Sequence, residues 1–132
     1  MRLVMCNGVF DLLHPGHVAH LREARTMGDY LVVALTMDAH INKPGRPIQS
    51  FAERAEVLRE LRSVNAVSPC RNSIEAILSW KPDVFVKGGD YAGGLLKAEI
   101  EACKTVGSEI RHTEYIPITT SDIVERIKCA YS

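Results

Sequence analysis

Between Gly8 and His17 the chain reads Gly-Val-Phe-Asp-Leu-Leu-His-Pro-Gly-His, and two imidazoles flank a Pro-Gly pair where an apolar strand pattern gives way to a helical one. A helix N-terminus leaves backbone N–H groups without intrahelical partners and carries the positive end of the helix dipole, so such a junction suits a phosphate. His14 and His17 add hydrogen-bond donors where a phosphoryl group would react. Lys43 and Arg46 stand in Asn42-Lys-Pro-Gly-Arg-Pro-Ile48, whose prolines and glycine exclude a helix interior. Lys87 leads into Gly88-Gly89-Asp90-Tyr91-Ala92-Gly93-Gly94, and four glycines in eight residues allow a backbone to approach a ligand closely. Thr119-Thr120-Ser121 opens a last helical pattern with hydroxyl and N–H donors. Nucleotidyl transfer asks mainly for placed donors and cations around charge developing on the α-phosphate, and these segments supply them without a covalent nucleophile.

Each segment also has a plainer reading. His14 can cap the helix while His17 is a solvated first-turn residue, and Lys43 and Arg46 can belong to an ordinary solvated loop. The glycine pairs fit turn chemistry, and the threonine run fits a helix cap. His14, His17 and His20 recur at metal-ligand spacing, but only Asp11 stands near them as a further ligand, and Pro15-Gly16 interrupts the register.

The elements that must position these residues follow from periodicity. An opening strand through Val4-Met5-Cys6 is followed by a helix with Val18, Leu21 and Ala24, which Gly28 is expected to terminate as a C-terminal glycine. The unbroken run Leu31-Val-Val-Ala-Leu35 is the signature of a strand covered on both faces, and Thr36-Met37-Asp38 closes it. Ser50 with Glu53 forms a capping-box pattern ahead of Ala55, Leu58 and Leu61. A short strand at Ala66-Val67 precedes a helix opened by Asn72 and stopped at Lys81-Pro82. Strand Val84-Phe85-Val86, a helix through Leu96, Ile100 and Cys103 ended by Gly107, strand Glu109-Ile110-Arg111, extended Tyr115 to Ile118 and a final helix with Ile123 and Ile127 complete the order. Alternating strands and helices predict α/β architecture, a doubly wound, Rossmann-like parallel sheet of about five strands with helices on both faces. Ligands in such sheets bind beyond the carboxyl ends of the strands, where all the unusual segments fall.

A length of 132 residues, with 46% hydrophobic residues, predicts a single domain over 1–132. Sixteen basic and sixteen acidic residues cancel, so no overall field recruits nucleic acid or an anionic membrane, and phosphate binding must be local. No apolar run approaches a membrane span and no secretory signal pattern opens the chain, which predicts a cytoplasmic protein. Cys6, Cys70, Cys103 and Cys129 form no CxxC motif and read as buried thiols in a reducing compartment.

At Gly8 to His17 the sequence resembles the cytidylyltransferase-like family of nucleotidyltransferases, whose hallmark is His-x-Gly-His after the first strand. Arg46-Pro47-Ile48 with Glu53-Arg54, Val86-Lys87-Gly88-Gly89-Asp90-Tyr91 and Thr119-Thr120-Ser121 follow in the family's order, so the resemblance covers about Val4 to Lys128. It implies that a substrate phosphate attacks the α-phosphate of an NTP and releases pyrophosphate with magnesium. His14 and His17 become the catalytic pair with Lys43, and Val9 and Phe10 become backbone neighbours of the nucleotide. Arg46, Lys87, Gly88, Asp90, Thr119, Thr120 and Ser121 are implied nucleotide contacts. Asp11 is implied as a structural or substrate-side aspartate, Asp38 and Lys43 are expected on the substrate side, and Arg54 is a buried support. Expected partners are small molecules, an NTP (ATP or CTP) and a sugar or polyol phosphate, and a homodimer is possible.

Two branches compete. Arg46-Pro47-Ile48 and Lys87-Gly88-Gly89-Asp90-Tyr91 resemble the branch that adenylylates D-glycero-β-D-manno-heptose 1-phosphate for lipopolysaccharide precursors. The chain length resembles glycerol-3-phosphate cytidylyltransferase, but Thr113-Glu114-Tyr115-Ile116-Pro117 departs from that branch's Arg-Thr-Glu-Gly and from the heptose branch's Gly-Cys. A nucleotide-binding module without turnover and a zinc hydrolase are the readings from other classes.

Overall fold

The computed structural model describes residues 1–88, 96–114 and 116–132. Five strands alternate with helices: β1 (Leu3–Gly8), α1 (Pro15–Arg25), β2 (Tyr30–Thr36), α2 (Phe51–Arg59), β3 (Ala66–Cys70), α3 (Ser73–Trp80), β4 (Val84–Lys87), α4 (Lys97–Val106), β5 (Glu109–His112) and α5 (Thr120–Tyr131). A short 3₁₀ turn, Asp38–His40, follows β2. All strand pairs are parallel, in the order β3-β2-β1-β4-β5. The order reverses between β1 and β4, which places the ligand crevice of such a sheet at their carboxyl ends.

Two apolar layers sandwich the sheet, as the continuous hydrophobic strands require. Val4 and Cys6 of β1 pack with Leu21 and Ala24 of α1 and Ala55 and Leu58 of α2. Met5, alternating to the opposite face, packs with Phe85 and with Ala76, Ile77, Ala102 and Cys103 of α3 and α4. α5 buries none of its side chains. Among the described residues, no helix is long and apolar enough to cross a membrane.

The local signals for helix ends hold. Ser50 accepts from the Glu53 N–H while Glu53 reaches back, Asn72 accepts from the Glu75 N–H, and Thr119 accepts from the Asp122 N–H. Gly107 ends α4 in the left-handed conformation, φ 76°. Gly28 is different. The cap of α1 is Thr26 in right-handed geometry, and Gly28 has another purpose: a Cβ there would stand 2.6 Å from both the Arg2 carbonyl oxygen and Val4 Cγ2. The chain needs glycine where it passes against β1 rather than to turn out of the helix. Cys6, Cys70 and Cys103 are buried free thiols as expected, whereas Cys129 is exposed on α5.

Because the Gly28 contact is with backbone that cannot yield, Gly28→Val should lower stability by about 1–3 kcal/mol in urea denaturation, the usual penalty of overpacking. A midpoint equal to that of the parent would show that the chain there relaxes freely.

Candidate active site

β1 ends at Gly8, and the chain turns through Val9 to Leu13 before α1. Phe10 and Leu12 take left-handed backbone angles, φ 51° and 50°, a strained choice for residues with side chains. The Phe10 ring lies against Gly8, where a Cβ would come within 2.8 Å of it. The same ring meets His17 edge-on at 5.3 Å and stacks on His20 at 6.4 Å between centroids.

His14 is the N-cap of α1, so the plainer expectation for it is realised, and the capping fixes its chemistry. Its Nδ1 accepts from the Gly16 N–H at 3.1 Å, and Nδ1 of His17 accepts from the His14 N–H at 3.3 Å. A neutral imidazole whose Nδ1 accepts carries its proton on Nε2. Both rings therefore offer Nε2–H donors, and they stack 3.8 Å apart in the wall of one cavity. Burial lowers the pKa of both. For His17, with His14 and His20 adding repulsion against a smaller pull from Asp11, it falls to about 3. At neutral pH the pair is uncharged. Gly16 is required beside it, since a Cβ would stand 2.8 Å from His14 Cε1 and 3.2 Å from the Ile118 carbonyl oxygen.

Two buried charges hold the surrounding segments. The Asp11 carboxylate accepts from the Ile48 and Gln49 N–H groups at 2.8 and 3.0 Å, and the Asp11 carbonyl accepts from Thr120 Oγ1 at 2.9 Å. Arg54, 1% exposed, donates to the carbonyls of Val9, Thr36 and Gln49 and to the Asp38 carboxylate. These contacts bring the segment carrying Lys43 and Arg46, and the N-terminus of α5, over the N-terminus of α1. Lys43 Nζ reaches Ser121 Oγ at 2.8 Å. On the other side Lys87 Nζ meets Glu99 Oε2 at 2.9 Å. Burial alone would raise the pKa of Glu99, but bonds from the Leu96 N–H, Lys87 and Ser73 outweigh it and hold the carboxyl below its usual range.

The result is a cavity of about 550 Å³ at the carboxyl ends of β1 and β4. Val9, Phe10, His14, His17, Lys43, Arg46, Lys87, Gly88, Thr119, Thr120 and Ser121, eleven of the residues expected at the site, all line it. Asp90 lies outside the described residues, as do Gly89, Tyr91, Gly93, Gly94 and Tyr115. Asp11 and Asp38 are not in the lining: Asp11 spends both oxygens on backbone N–H groups, the structural one of its two expected roles, and Asp38, expected on the substrate side, is paired with Arg54. Arg54 is the buried support it was expected to be. Asn7 and Thr36 line the cavity without having been singled out, and Thr113 and Glu114 join them from the segment that separates the two branches. A polar residue ending an apolar strand, as Asn7 and Thr36 do, was the available signal. Thr113 bonds His20 at 2.6 Å, a partnership across 93 residues that no local pattern announces. Among the described residues no cluster of three or more His, Cys, Asp or Glu is arranged to hold a metal ion.

Two helix N-termini, three cations and paired imidazole donors around one crevice of a parallel sheet define a site for nucleotide phosphates. Residues 5–126 match the model of the family described as Cytidylyltransferase-like, and the chain belongs to that family. It is an enzyme of the nucleotidyltransferase class. It is 42% identical over 133 residues to the "Bifunctional protein HldE" of Alcanivorax borkumensis, covering 96% of this chain and 28% of that protein. The protein of the same name from Alkalilimnicola ehrlichii is 40% identical, with 98% and 28% covered. The chain thus spans little more than a quarter of the length of these relatives. A solved structure, the lipopolysaccharide core biosynthesis protein from Thermoplasma volcanium, superposes with a TM-score of 0.72 at 28% identity, covering 90% of this chain and 99% of that one.

The neutral state of His17 links folding to pH. Its pKa is near 6.5 when unfolded and about 3 when folded, so between these values the unfolded chain binds more protons. The contribution is intact above pH 6.5 and is lost as the pH falls. Urea midpoints should drop between pH 7 and about pH 5, and His17→Gln should flatten that drop; equal slopes in both proteins would assign it to other groups.

Proposed function

We propose that this enzyme transfers a nucleoside monophosphate from an NTP to a phosphorylated sugar, with ATP and D-glycero-β-D-manno-heptose 1-phosphate as the pair that yields ADP-heptose. An oxygen of the acceptor phosphate attacks the α-phosphorus. The new P–O bond forms as the bond to the bridging oxygen breaks, and pyrophosphate leaves with the electron pair. Negative charge grows on the α-phosphate oxygens and on the leaving group. His14 and His17 meet the first with Nε2–H donors fixed in advance by their capping bonds, which requires no reorganisation at the moment of reaction. Lys43, Arg46 and the N-terminus of α5 face the second. Magnesium brought in with the NTP would add positive charge against the same phosphates that Lys43 and Arg46 face.

The single observation carrying this reading is the imidazole pair, neutral and presenting Nε2–H donors between two helix N-termini. The heptose acceptor is supported by the sequence resemblance at Arg46 to Ile48 and Lys87 to Tyr91, and by a similar solved structure named for lipopolysaccharide core biosynthesis.

The test is pyrophosphate release with ATP and CTP, each against heptose 1-phosphate and glycerol 3-phosphate. Turnover is expected with ATP and the heptose; CTP with glycerol 3-phosphate alone would assign the other branch. Nucleotide binding without turnover on any acceptor would favour a binding module instead. His17→Ala should lower kcat by about a hundredfold or more, as loss of one oxyanion donor does. Its thermal midpoint should stay close to the parent's. His14→Ala should lose activity and also about 1 kcal/mol of stability, because it removes the helix cap.

A further inference from the structure

Asn7 is the last polar side chain of the central strand, and its amide is fixed in one orientation. Nδ2 donates to the Ala34 carbonyl at 2.9 Å and to Cys70 Sγ at 3.2 Å, which uses both amide hydrogens. Turning the amide over would set Oδ1 against the Ala34 oxygen, so the assignment of O and N follows from the network. Burial pushes the Cys70 thiol up to about 11, so a neutral sulfur receives the bond. Among the described residues Oδ1 has no hydrogen-bond partner of its own. The orphaned buried side-chain atom among the described residues is His112 Nε2, not this oxygen, and Asn7 lines the cavity; the acceptor is therefore presented to its open space.

The neighbours of that oxygen narrow what it can receive. Asn7 and Lys87 follow the paired residues Cys6 and Val86 on adjacent parallel strands, so they project side by side on the face that also carries Met5 and Phe85. Lys87, whose ammonium is paired with Glu99, also lines the cavity and brings a cation beside Asn7. A cation beside Oδ1 disfavours a metal ion there and favours an anion with a neutral donor close to it. A phosphate bearing hydroxyl groups on its carbon skeleton has that chemistry.

We propose that Asn7 is a specificity-determining residue of the acceptor subsite, its Oδ1 receiving a hydrogen bond from a hydroxyl of the phosphorylated acceptor whose phosphate lies within reach of Lys87. The inference rests on the nucleotidyl-transfer reading above and adds to it a named atom that separates polyhydroxylated acceptors from bare ones. Once a bound acceptor shuts water out of the cavity, an analogue lacking the hydroxyl leaves this oxygen unpaired, and selectivity follows from that penalty.

The test is a cycle between protein and substrate. Values of kcat/KM are measured for the parent and for Asn7→Ala with heptose 1-phosphate and with its monodeoxy analogues. The NTP arm uses the 2′-deoxy and 3′-deoxy nucleotides. In the parent, one monodeoxy acceptor should lose about tenfold, and in Asn7→Ala that loss should disappear, the mark of a direct contact. KM for the NTP should be the same in both proteins. A deoxy penalty of equal size in parent and variant would overturn the proposal. So would a penalty that disappears only with a deoxynucleotide, which would give the oxygen to the ribose. Asn7→Ala also removes the bonds to Ala34 and Cys70, so its thermal midpoint is measured alongside. If it does not fold, the parent decides alone: no monodeoxy acceptor losing more than about twofold removes the contact. Absence of turnover by the parent with every NTP and acceptor would remove the transfer reading and the subsite with it, a result distinct from turnover that ignores the hydroxyls.

Discussion

Three backbone carbonyls from separate segments, those of Val9, Thr36 and Gln49, converge on the guanidinium of Arg54. Thr36 ends β2, Val9 follows β1, and Gln49 closes the segment that carries Lys43 and Arg46, so each oxygen lies where a ladder partner has run out. A planar group with five N–H donors satisfies acceptors arriving from several directions; a lysine ammonium, with three, does not reproduce the fork. Burying that charge is costly, and removing it would strand every oxygen it serves. Asp11 performs the reciprocal task. Its carboxylate takes N–H groups of Ile48 and Gln49, the same stretch whose carbonyl Arg54 takes. Opposite charges thus grip opposite ends of the peptide dipoles in one segment, and the cationic side of the cavity is held without either group entering it.

The site this framework holds works with dipoles as much as with charges. The chain carries no net charge, and the histidines next to the reacting position are neutral. Positive potential comes from two helix N-termini and from Lys43, Arg46 and Lys87 placed around the rim. Positive potential is therefore confined to one crevice. The proton positions on His14 and His17 are set by backbone contacts within α1, before any substrate arrives.

What was legible in the sequence is what short-range physics decides. Ser50 with Glu53 and Asn72 with Glu75 form caps three residues apart, and the Thr119-Thr120-Ser121 run opens α5 with Thr119 as its cap. The unbroken apolar strands foretold a sheet covered on both faces, and the switch in strand order then gathered the unusual segments. The misread positions depend on distant partners. Gly28 stands where a terminating glycine would, yet its small size answers to Arg2 and Val4. Asp11 and Asp38 have the composition of substrate ligands, and only the tertiary structure shows them committed to Ile48, Gln49 and Arg54. Glu99, fully buried against Lys87, gave no local sign.

The strand order also bears on how the chain assembles. β1, β2 and β3 are neighbours in sequence and in space, so the first half can pair as it emerges. One long edge of β1 stays open until β4 arrives, some eighty residues after β1 begins, and only then does Asp83 take the Leu3 N–H. Closing so long a loop is slow, and an unpaired central strand is a template for wrong partners in the meantime. The crevice opens at that same late seam, and its last wall, the N-terminus of α5, follows later still. The crevice thus draws its walls from both halves of the chain, and its geometry exists only in the completed sheet.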